Sequence, residues 1–224
     1  MLTTPGPVFS RDPGTAAYYE RRAAEYDEWY LGAGRFVVAD RPGWGAELDL
    51  VVGLVRALPP VRTLDVGCGT GFLTRHLRGL TVGLDRSPAM VALARAGLGE
   101  GVAVVGDALA LPFAAGSLDR VFTGHFYGHL PPAERAGFLA QARRVADELV
   151  VVDSALRAGV EPEQCQERVL NDGSRHRVYK RYLRAQQLAD EISGEVVHDG
   201  TWFVAARTHW RRRAETPSVS PGPG

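Results

Sequence analysis

Three aspartates, a run of alternate glycines and two histidines carry most of the chemistry this sequence offers. Asp65 sits in a short apolar segment, Thr63-Leu64-Asp65-Val66, that runs directly into Gly67-Cys68-Gly69-Thr70-Gly71. Glycine at 67, 69 and 71 lets the backbone turn tightly and leaves no Cβ between the main chain and a ligand. Asp85 and Asp107 each follow a further apolar run, at 80–84 and 102–105. Either aspartate alone fits an ordinary strand-end turn. At the tips of successive strands, on the side where open α/β sheets bind ligands, the two together read as functional. Asp119 precedes its strand, at the opposite edge, and reads as structural. His125 and His129 follow the apolar run at 120–123, and a neutral imidazole accepts a proton near pH 7. His125 is the first candidate for a general base and His129 the second. Their spacing of four suits a metal on a helix, but no third ligand accompanies them and Gly124 and Gly128 weaken a helix there, so no metal is expected.

The glycine spacing discriminates between cofactors. A dinucleotide fingerprint is G-x-G-x-x-G, with the pyrophosphate on a helix N-terminus. Here the third glycine comes one residue early, Phe72 takes the small position, and Asp65 precedes the loop. A carboxylate there repels phosphate and welcomes an amino group. An NAD(P)-dependent oxidoreductase is therefore the alternative, disfavoured on both counts. The loop is expected to open a helix over 71–78 whose N–H groups face the same crevice.

Stepping outward to the positioning elements, Pro59 and Pro60 exclude helix, and Val61, Leu64 and Val66 read as a buried strand. Further strands are expected at 80–84, 102–105, 120–123, 148–153, 195–198 and 201–206. Helices are expected at 44–58, at 88–96 with Gly97 as the stop, at 132–146 and at 183–192. Ser87-Pro88 supplies an N-cap and a proline at the first helical position. Alternating strands and helices imply a parallel sheet with crossovers. Asp199-Gly200 reads as the two-residue turn of a terminal hairpin.

The ordered series Asp65-Val66-Gly67-Cys68-Gly69-Thr70-Gly71-Phe72-Leu73, Asp85, Ser87-Pro88-Ala89-Met90, Gly106-Asp107-Ala108 and Leu111-Pro112-Phe113 resembles the class I, Rossmann-like S-adenosylmethionine (SAM) methyltransferases. The likeness covers roughly 45–153 and is nearest to the type 11 domain of ubiquinone- and menaquinone-pathway enzymes. It implies an α/β, Rossmann-like, seven-stranded and mostly parallel sheet, with helices on both faces and the last strand antiparallel. It implies SAM as cofactor and S-adenosylhomocysteine (SAH) as product. It implies that Asp85 takes the ribose hydroxyls, Met90 packs on adenine, Asp107 receives the adenine amino group, and the stretch at 123–130 lines the methionine moiety. Cofactor contacts are thereby assigned to Tyr18, Arg22, Tyr26, Asp65, Gly67, Cys68, Gly69, Gly71, Asp85, Arg86, Met90, Asp107, Ala108 and His125.

Two segments outside the nucleotide core are expected to hold the acceptor. Residues 15–30 read as one helix carrying Tyr18, Tyr19, Tyr26, Trp29 and Tyr30, similar to the lid that closes over SAM in type 11 relatives. Arg22 lies four residues before Tyr26 and could pair with the methionine carboxylate; the alternative is that these tyrosines only pack the helix down. Residues 165–183 read as an inserted β-hairpin turning at Asp172-Gly173. Along its return strand His176, Arg177, Tyr179 and Arg181 alternate with Val178 and Lys180, so one face could meet an anionic or hydroxylated acceptor, or be solvated.

Composition bounds the partners. Lys+Arg and Asp+Glu are equal at 26 each, so no global basic field recruits nucleic acid. No Asn/Asp/Ser-Pro-Pro-Tyr/Phe motif follows residue 123, which argues against adenine as acceptor. Lys180 is the only lysine, which reads as the mark of a GC-rich genome rather than of binding. Two cysteines cannot make a disulfide framework. A cytosolic protein without a membrane span is expected. Residues 1–14 and 211–224 read as flexible tails, the second including Arg211–Arg213, around one domain over 15–210. The expected activity is in-line methyl transfer to a small molecule, with a SAM-binding module lacking turnover, or acting on a protein partner, as a further alternative.

Overall fold

Strands form where short β-branched and apolar runs lie between turn residues, and helices fill the intervals between them. A computed structural model describes residues 12–37, 41–99 and 101–210 of the chain. Most of both expected tails, Arg211–Arg213 included, lies outside the described residues. In chain order the strands are β1 (Thr63–Val66), β2 (Thr81–Asp85), β3 (Val102–Val105), β4 (Arg120–Gly124), β5 (Glu148–Ser154), β6 (Glu163–Val169), β7 (Arg175–Arg181), β8 (Glu195–Asp199) and β9 (Phe203–His209). The helices are α1 (Pro13–Arg22), α2 (Glu28–Leu31), α3 (Trp44–Ala57), α4 (Pro88–Gly97), α5 (Pro132–Val145) and α6 (Ala185–Ile192).

Seven strands make one sheet in the order β3-β2-β1-β4-β5-β9-β8, with β6 and β7 paired separately as a hairpin. The first five are parallel, and β9 is antiparallel to both of its neighbours. This is the expected Rossmann-like α/β class. Strands β1 and β5 are buried along their whole length, because helices cover both faces of the sheet. Side chains alternate across it. Leu64, Val66, Val121 and Leu149 pack with Phe138 of α5 and Leu188 of α6, while Phe122, Val150 and Val152 pack with Val51 and Val55 of α3. The winding direction reverses between β1 and β4, which opens a crevice beyond their C-terminal ends. At the opposite end Asp119 accepts from the backbone and side chain of Arg62, the structural role expected of it.

Several elements differ from expectation. The helix expected over 71–78 is a single 3-10 turn, Thr74–His76. Residues 67–80 are near the shortest span that can cross between parallel strands, and Gly71 and Gly79 hold left-handed conformations, with φ of +82° and +90°. The expected 15–30 helix begins earlier and breaks. Asp12 caps α1, accepting from Thr15 N–H at 2.7 Å, and Pro13 takes the first helical position. Residues 12–14 thus belong to the helix rather than to a tail. After Arg22 the chain passes through a 3-10 turn, Ala23–Glu25, into α2. That break lets Tyr30 stack on Phe72 beside the glycine loop, with ring centroids 3.9 Å apart. Helix α4 runs through Gly97, and Gly99 is the left-handed residue. The β8–β9 reversal falls on Thr201 and Trp202 rather than on Asp199-Gly200, because Glu47 of α3 accepts the N–H groups of Thr201, Trp202 and Phe203. The inserted hairpin starts at Glu163 and turns through Gly173, φ +83°. No helix among the described residues is long and apolar enough to cross a membrane.

Candidate functional site

Two cavities share a wall at the crevice. The larger, about 340 Å³, lies between the glycine loop, the tips of β2 and β3, the start of α4 and helix α1. The smaller, about 120 Å³, lies between the lid segment, the hairpin and the end of β5. Tyr19, Tyr26, His125 and His129 line both.

The loop is built for close approach. Gly67 and Gly69 have φ of +72° and +54°, which a side chain would strain. A Cβ at Gly67 would come within 2.7 Å of the Phe126 ring, and one at Gly69 within 3.3 Å of Tyr26. The loop amides are already engaged. Gly67 and Cys68 donate to the Leu84 carbonyl at 2.8 and 3.1 Å, Gly71 donates to the Cys68 carbonyl, and Gly69 donates to Asp85 Oδ2 at 2.9 Å. With a single 3-10 turn beyond it, the loop offers neither the ring of N–H donors nor the helix dipole expected of it. Asp85 accepts from Ser87 N–H through its other oxygen, at 2.9 Å. The Arg86 N–H is a third donor to this carboxylate, which has about four acceptor positions, so about one remains open to the cavity. Burial raises the Asp85 pKa, opposed by these N–H groups. Ser87 caps α4, accepting from Met90 N–H at 3.1 Å. Met90 is buried, and lines the cavity together with Ala108, Arg86 and the exposed Asp107. Asp107 accepts from Leu109 N–H at 2.9 Å, so it is a turn residue as well as a cavity residue.

Five of the assigned cofactor residues stand elsewhere. Asp65, Cys68 and Gly71 lie behind the loop and line neither cavity. Asp65 is 2 % exposed; Thr74 donates to its Oδ2 at 2.5 Å, and Oδ1 is buried without a partner. Burial lifts its pKa from 3.8 to about 7, partly offset by Thr74 and reinforced by the Asp85 charge. Cys68 packs against Val91, Ala94 and Ala103, and burial pushes its thiol far up. Gly71 abuts Ala94 of α4. Tyr18 and Arg22 line the smaller cavity instead of the larger. They lie four apart, on one face of α1, and Arg22 donates to the Tyr18 hydroxyl at 2.6 Å, while Tyr19 and Glu20 face the larger cavity.

The two histidines differ. His125 follows β4 with φ +58° and packs edge-on to Trp29, Tyr30 and Phe203. Both of its ring nitrogens are buried without a partner, and burial lowers its pKa to about 4. A strained backbone holding an unpaired polar ring is a feature of functional sites. His129 Nδ1 lies 2.7 Å from the Tyr179 carbonyl, so that nitrogen carries the hydrogen. Its Nε2, 3.2 Å from the Tyr19 hydroxyl, is then the acceptor. Burial, and next Lys180, hold His129 well below its ordinary pKa.

Some site residues gave no sequence signal that was read. Glu20 accepts from Ser87 Oγ at 2.5 Å and from Ala89 N–H at 3.2 Å, and so pins α1 to the start of α4. No local pattern links residues so far apart in the chain. Lys180 is 3 % exposed and pairs with Asp153 at 2.7 Å. Burial raises Asp153, but Lys180 and the two histidines outweigh it and hold the carboxyl at about 2. That the one lysine stands here was the available signal. One face of the hairpin's return strand turns inward: Val178 and Lys180 line the smaller cavity, and His176 on the same face packs on Tyr18. On the other face Arg181 pairs with Glu191 and Glu163, Arg177 is exposed, and Tyr179 lines neither cavity.

Residues 64–148 match a family model described as a methyltransferase domain. An uncharacterised methyltransferase of Mycobacterium tuberculosis is 36% identical over 94 residues, 41% of this chain and 39% of that one. The demethylmenaquinone methyltransferase of Thermotoga maritima is 34% identical over 100 residues, 42% of this chain and 43% of that one. The malonyl-[acyl-carrier protein] O-methyltransferase of Hahella chejuensis is 34% identical over 151 residues, 63% of this chain and 52% of that one. The chain thus spans about half or less of the length of these curated relatives. Among solved structures, the DhpI-SAM-HEP complex superposes with a TM-score of 0.72 at 24% identity, covering 92% of this chain and 99% of that one, and shares the fold.

Proposed function

We propose that the protein, whose residues 64–148 match a family model described as a methyltransferase domain, transfers a methyl group from SAM to a small-molecule acceptor. The observation that carries this reading is the engaged glycine loop beside Asp85. Its N–H groups are bonded within the fold, the next element is a single 3-10 turn, and the acid at its flank keeps a free acceptor position. Such a site suits ribose hydroxyls and an ammonium group, and it is ill suited to a pyrophosphate.

The residues present fit SAM. Asp85 would hold the ribose, Met90 and Ala108 the adenine face, and Gly67 and Gly69 would leave room for the chain of the methionine moiety under Tyr26. The orphaned Oδ1 of Asp65 is the acceptor nearest in sequence to that loop. When bound, the cofactor supplies an electrophilic methyl group. Tyr19, Tyr26, His125 and His129, shared by the two cavities, would exclude water and align the acceptor for in-line attack. His125 has no hydrogen-bond partner on either ring nitrogen, whereas His129 Nε2 is already set as an acceptor toward Tyr19, so the role of base passes to His129. An acceptor that must lose a proton would pass it to Tyr19 and His129, whose hydrogen bond is already formed. The relatives' names span demethylmenaquinone and malonyl-[acyl-carrier protein], so they do not choose the acceptor.

The test is thermal unfolding with SAM, SAH, NAD+ and NADH. SAH at a hundred times its Kd stabilises the folded state by about 2.7 kcal/mol, a rise in Tm of about 5–10 °C for a domain of this size. Stabilisation by NAD+ or NADH alone overturns the reading.

A further inference from the structure

The smaller cavity has a one-sided charge. Arg22, Arg41, Arg157, Arg168 and Lys180 line it, and no carboxylate does. Among the described residues the four arginines make no salt bridge. Arg22 donates to the Tyr18 hydroxyl, Arg41 to the Trp29 carbonyl, Arg157 to the Ala155 carbonyl and Arg168 to Gln166. Asp153, on Lys180, is the one carboxylate bonded to any of the five. Arg168 Nε is buried without a partner.

Two of these cations lie against one ring and a third is linked to its hydroxyl through Gln166. Arg157 Cζ and Lys180 Nζ lie 5.5 and 5.8 Å from the centroid of Tyr182. The Tyr182 hydroxyl accepts from Gln166, whose carbonyl oxygen receives Arg168. Arg157 also stacks on Trp202, at 4.5 Å. Guanidinium groups held by aromatic rings and carbonyls keep most of their N–H donors free, and their fork matches carboxylate and phosphoryl oxygens. Like charges crowded in a concave site of low polarisability repel one another, and they attract an anion strongly. Both histidines of the shared wall are held neutral beside them.

We propose that the methyl acceptor carries a carboxylate or phosphoryl group, and that Arg157, Arg168 and Lys180 hold this oxyanion in the smaller cavity. The assignment as acceptor rests on the methyltransferase reading. The wall shared with the larger cavity sets the anion's carrier next to the cofactor. Specificity then excludes cationic and neutral isosteres, because they would leave the four arginine charges unbalanced.

Lys180 is the only lysine, so full-length protein labelled with 13C-lysine gives one Cε–Hε cross-peak that reports on the site. With SAH saturating, the probes are ethyl phosphate, butyrate, butyramide and butylamine. Ethyl phosphate or butyrate should shift the peak saturably, and which of them binds tighter distinguishes phosphoryl from carboxylate. Arg157→Gln and Arg168→Gln should each weaken that binding at least tenfold while the SAH Kd, measured by calorimetry, stays within twofold. The proposal is overturned if butyramide or butylamine binds as tightly as the anions, if neither anion shifts the peak in SAH-bound protein, or if both arginine variants leave anion affinity unchanged. Those outcomes leave the methyltransferase reading standing. Anion binding in a protein that takes no SAH instead removes that reading, and with it the assignment as acceptor.

Discussion

Asp65 is the residue whose burial should show most visibly in the pH dependence of stability. Its carboxyl is buried with a single donor, the Thr74 hydroxyl, and its second oxygen has no partner. Burial moves its pKa from 3.8 to about 7. The folded state therefore holds this proton more tightly than the unfolded chain does. Stability from the group is full below about pH 4 and is lost as pH rises through 7. Three units at 1.36 kcal/mol each make that loss about 4 kcal/mol on the alkaline side. Asp65→Asn keeps the shape of the protonated acid and cannot ionise. Its amide still accepts from Thr74 but sets an NH2 where Oδ1 was, at a cost of about 1–2 kcal/mol for an unpaired buried donor. The variant should therefore be about 2–3 kcal/mol more stable than the parent at pH 8.5, and no more stable at pH 5. Urea unfolding followed by tryptophan fluorescence at the two pH values reads this directly. A variant less stable than the parent at pH 8.5, or a gain of equal size at both pH values, would refute the reasoning.

Three further outcomes are expected. Asp85→Asn sets an amide NH2 against the N–H of Gly69 or Ser87 and removes the charge offered to the ribose, so SAH should bind about 1.5–3 kcal/mol more weakly by calorimetry; an unchanged Kd would place the ribose elsewhere. Lys180→Met leaves Asp153 buried without its cation, and should cost about 3–5 kcal/mol at pH 7.5 in urea unfolding. Adding Asp153→Asn should return part of that loss, and a double variant no more stable than the single one counts against the pairing. His125 has its pKa lowered from 6.5 to about 4, so the stability it permits is full above 6.5 and falls by up to about 3 kcal/mol as pH drops to 4. His125→Asn, which tolerates the left-handed backbone, should flatten that part of the pH–stability curve; an equally steep curve would mean the imidazole is protonated in the fold.

How much of this was legible in the sequence depended on whether the cause was local. Strand β1, the acid-tipped β2 and the Ser87-Pro88 start of α4 followed from apolar runs and caps, and each stands where expected. The helix after the glycine loop did not, because its failure comes from a tertiary limit, the length of a parallel crossover. The break in the lid helix is tertiary as well: Tyr30 leaves the helical path to stack on Phe72. The larger cavity was legible in Asp85, Asp107 and Ala108, at the tips of neighbouring strands, and in Met90 in the first turn of α4. For the smaller cavity the sequence left open which face of the hairpin turns inward. Alternation along 175–181 was visible, but the choice of inward face was decided by Asp153, which draws Lys180 under the sheet edge while Glu191 and Glu163 draw Arg181 the other way.

Composition did hold the decisive clue. All other Lys/Arg positions in this chain are arginine, so the single lysine calls for a local cause. A buried ammonium against Asp153 Oδ1 makes one compact ion pair, where the wider, planar guanidinium demands two acceptors side by side. Asp153 has given its other oxygen to Gly128 N–H. A Cβ on Gly128 would lie 3.0 Å from Lys180 Nζ and 2.6 Å from the Arg181 carbonyl, so the space beside the pair is already tight. Arginine at 180 would lack both the room and the second acceptor, which is a physical reason for the one lysine to stand against Asp153 in the wall of the smaller cavity.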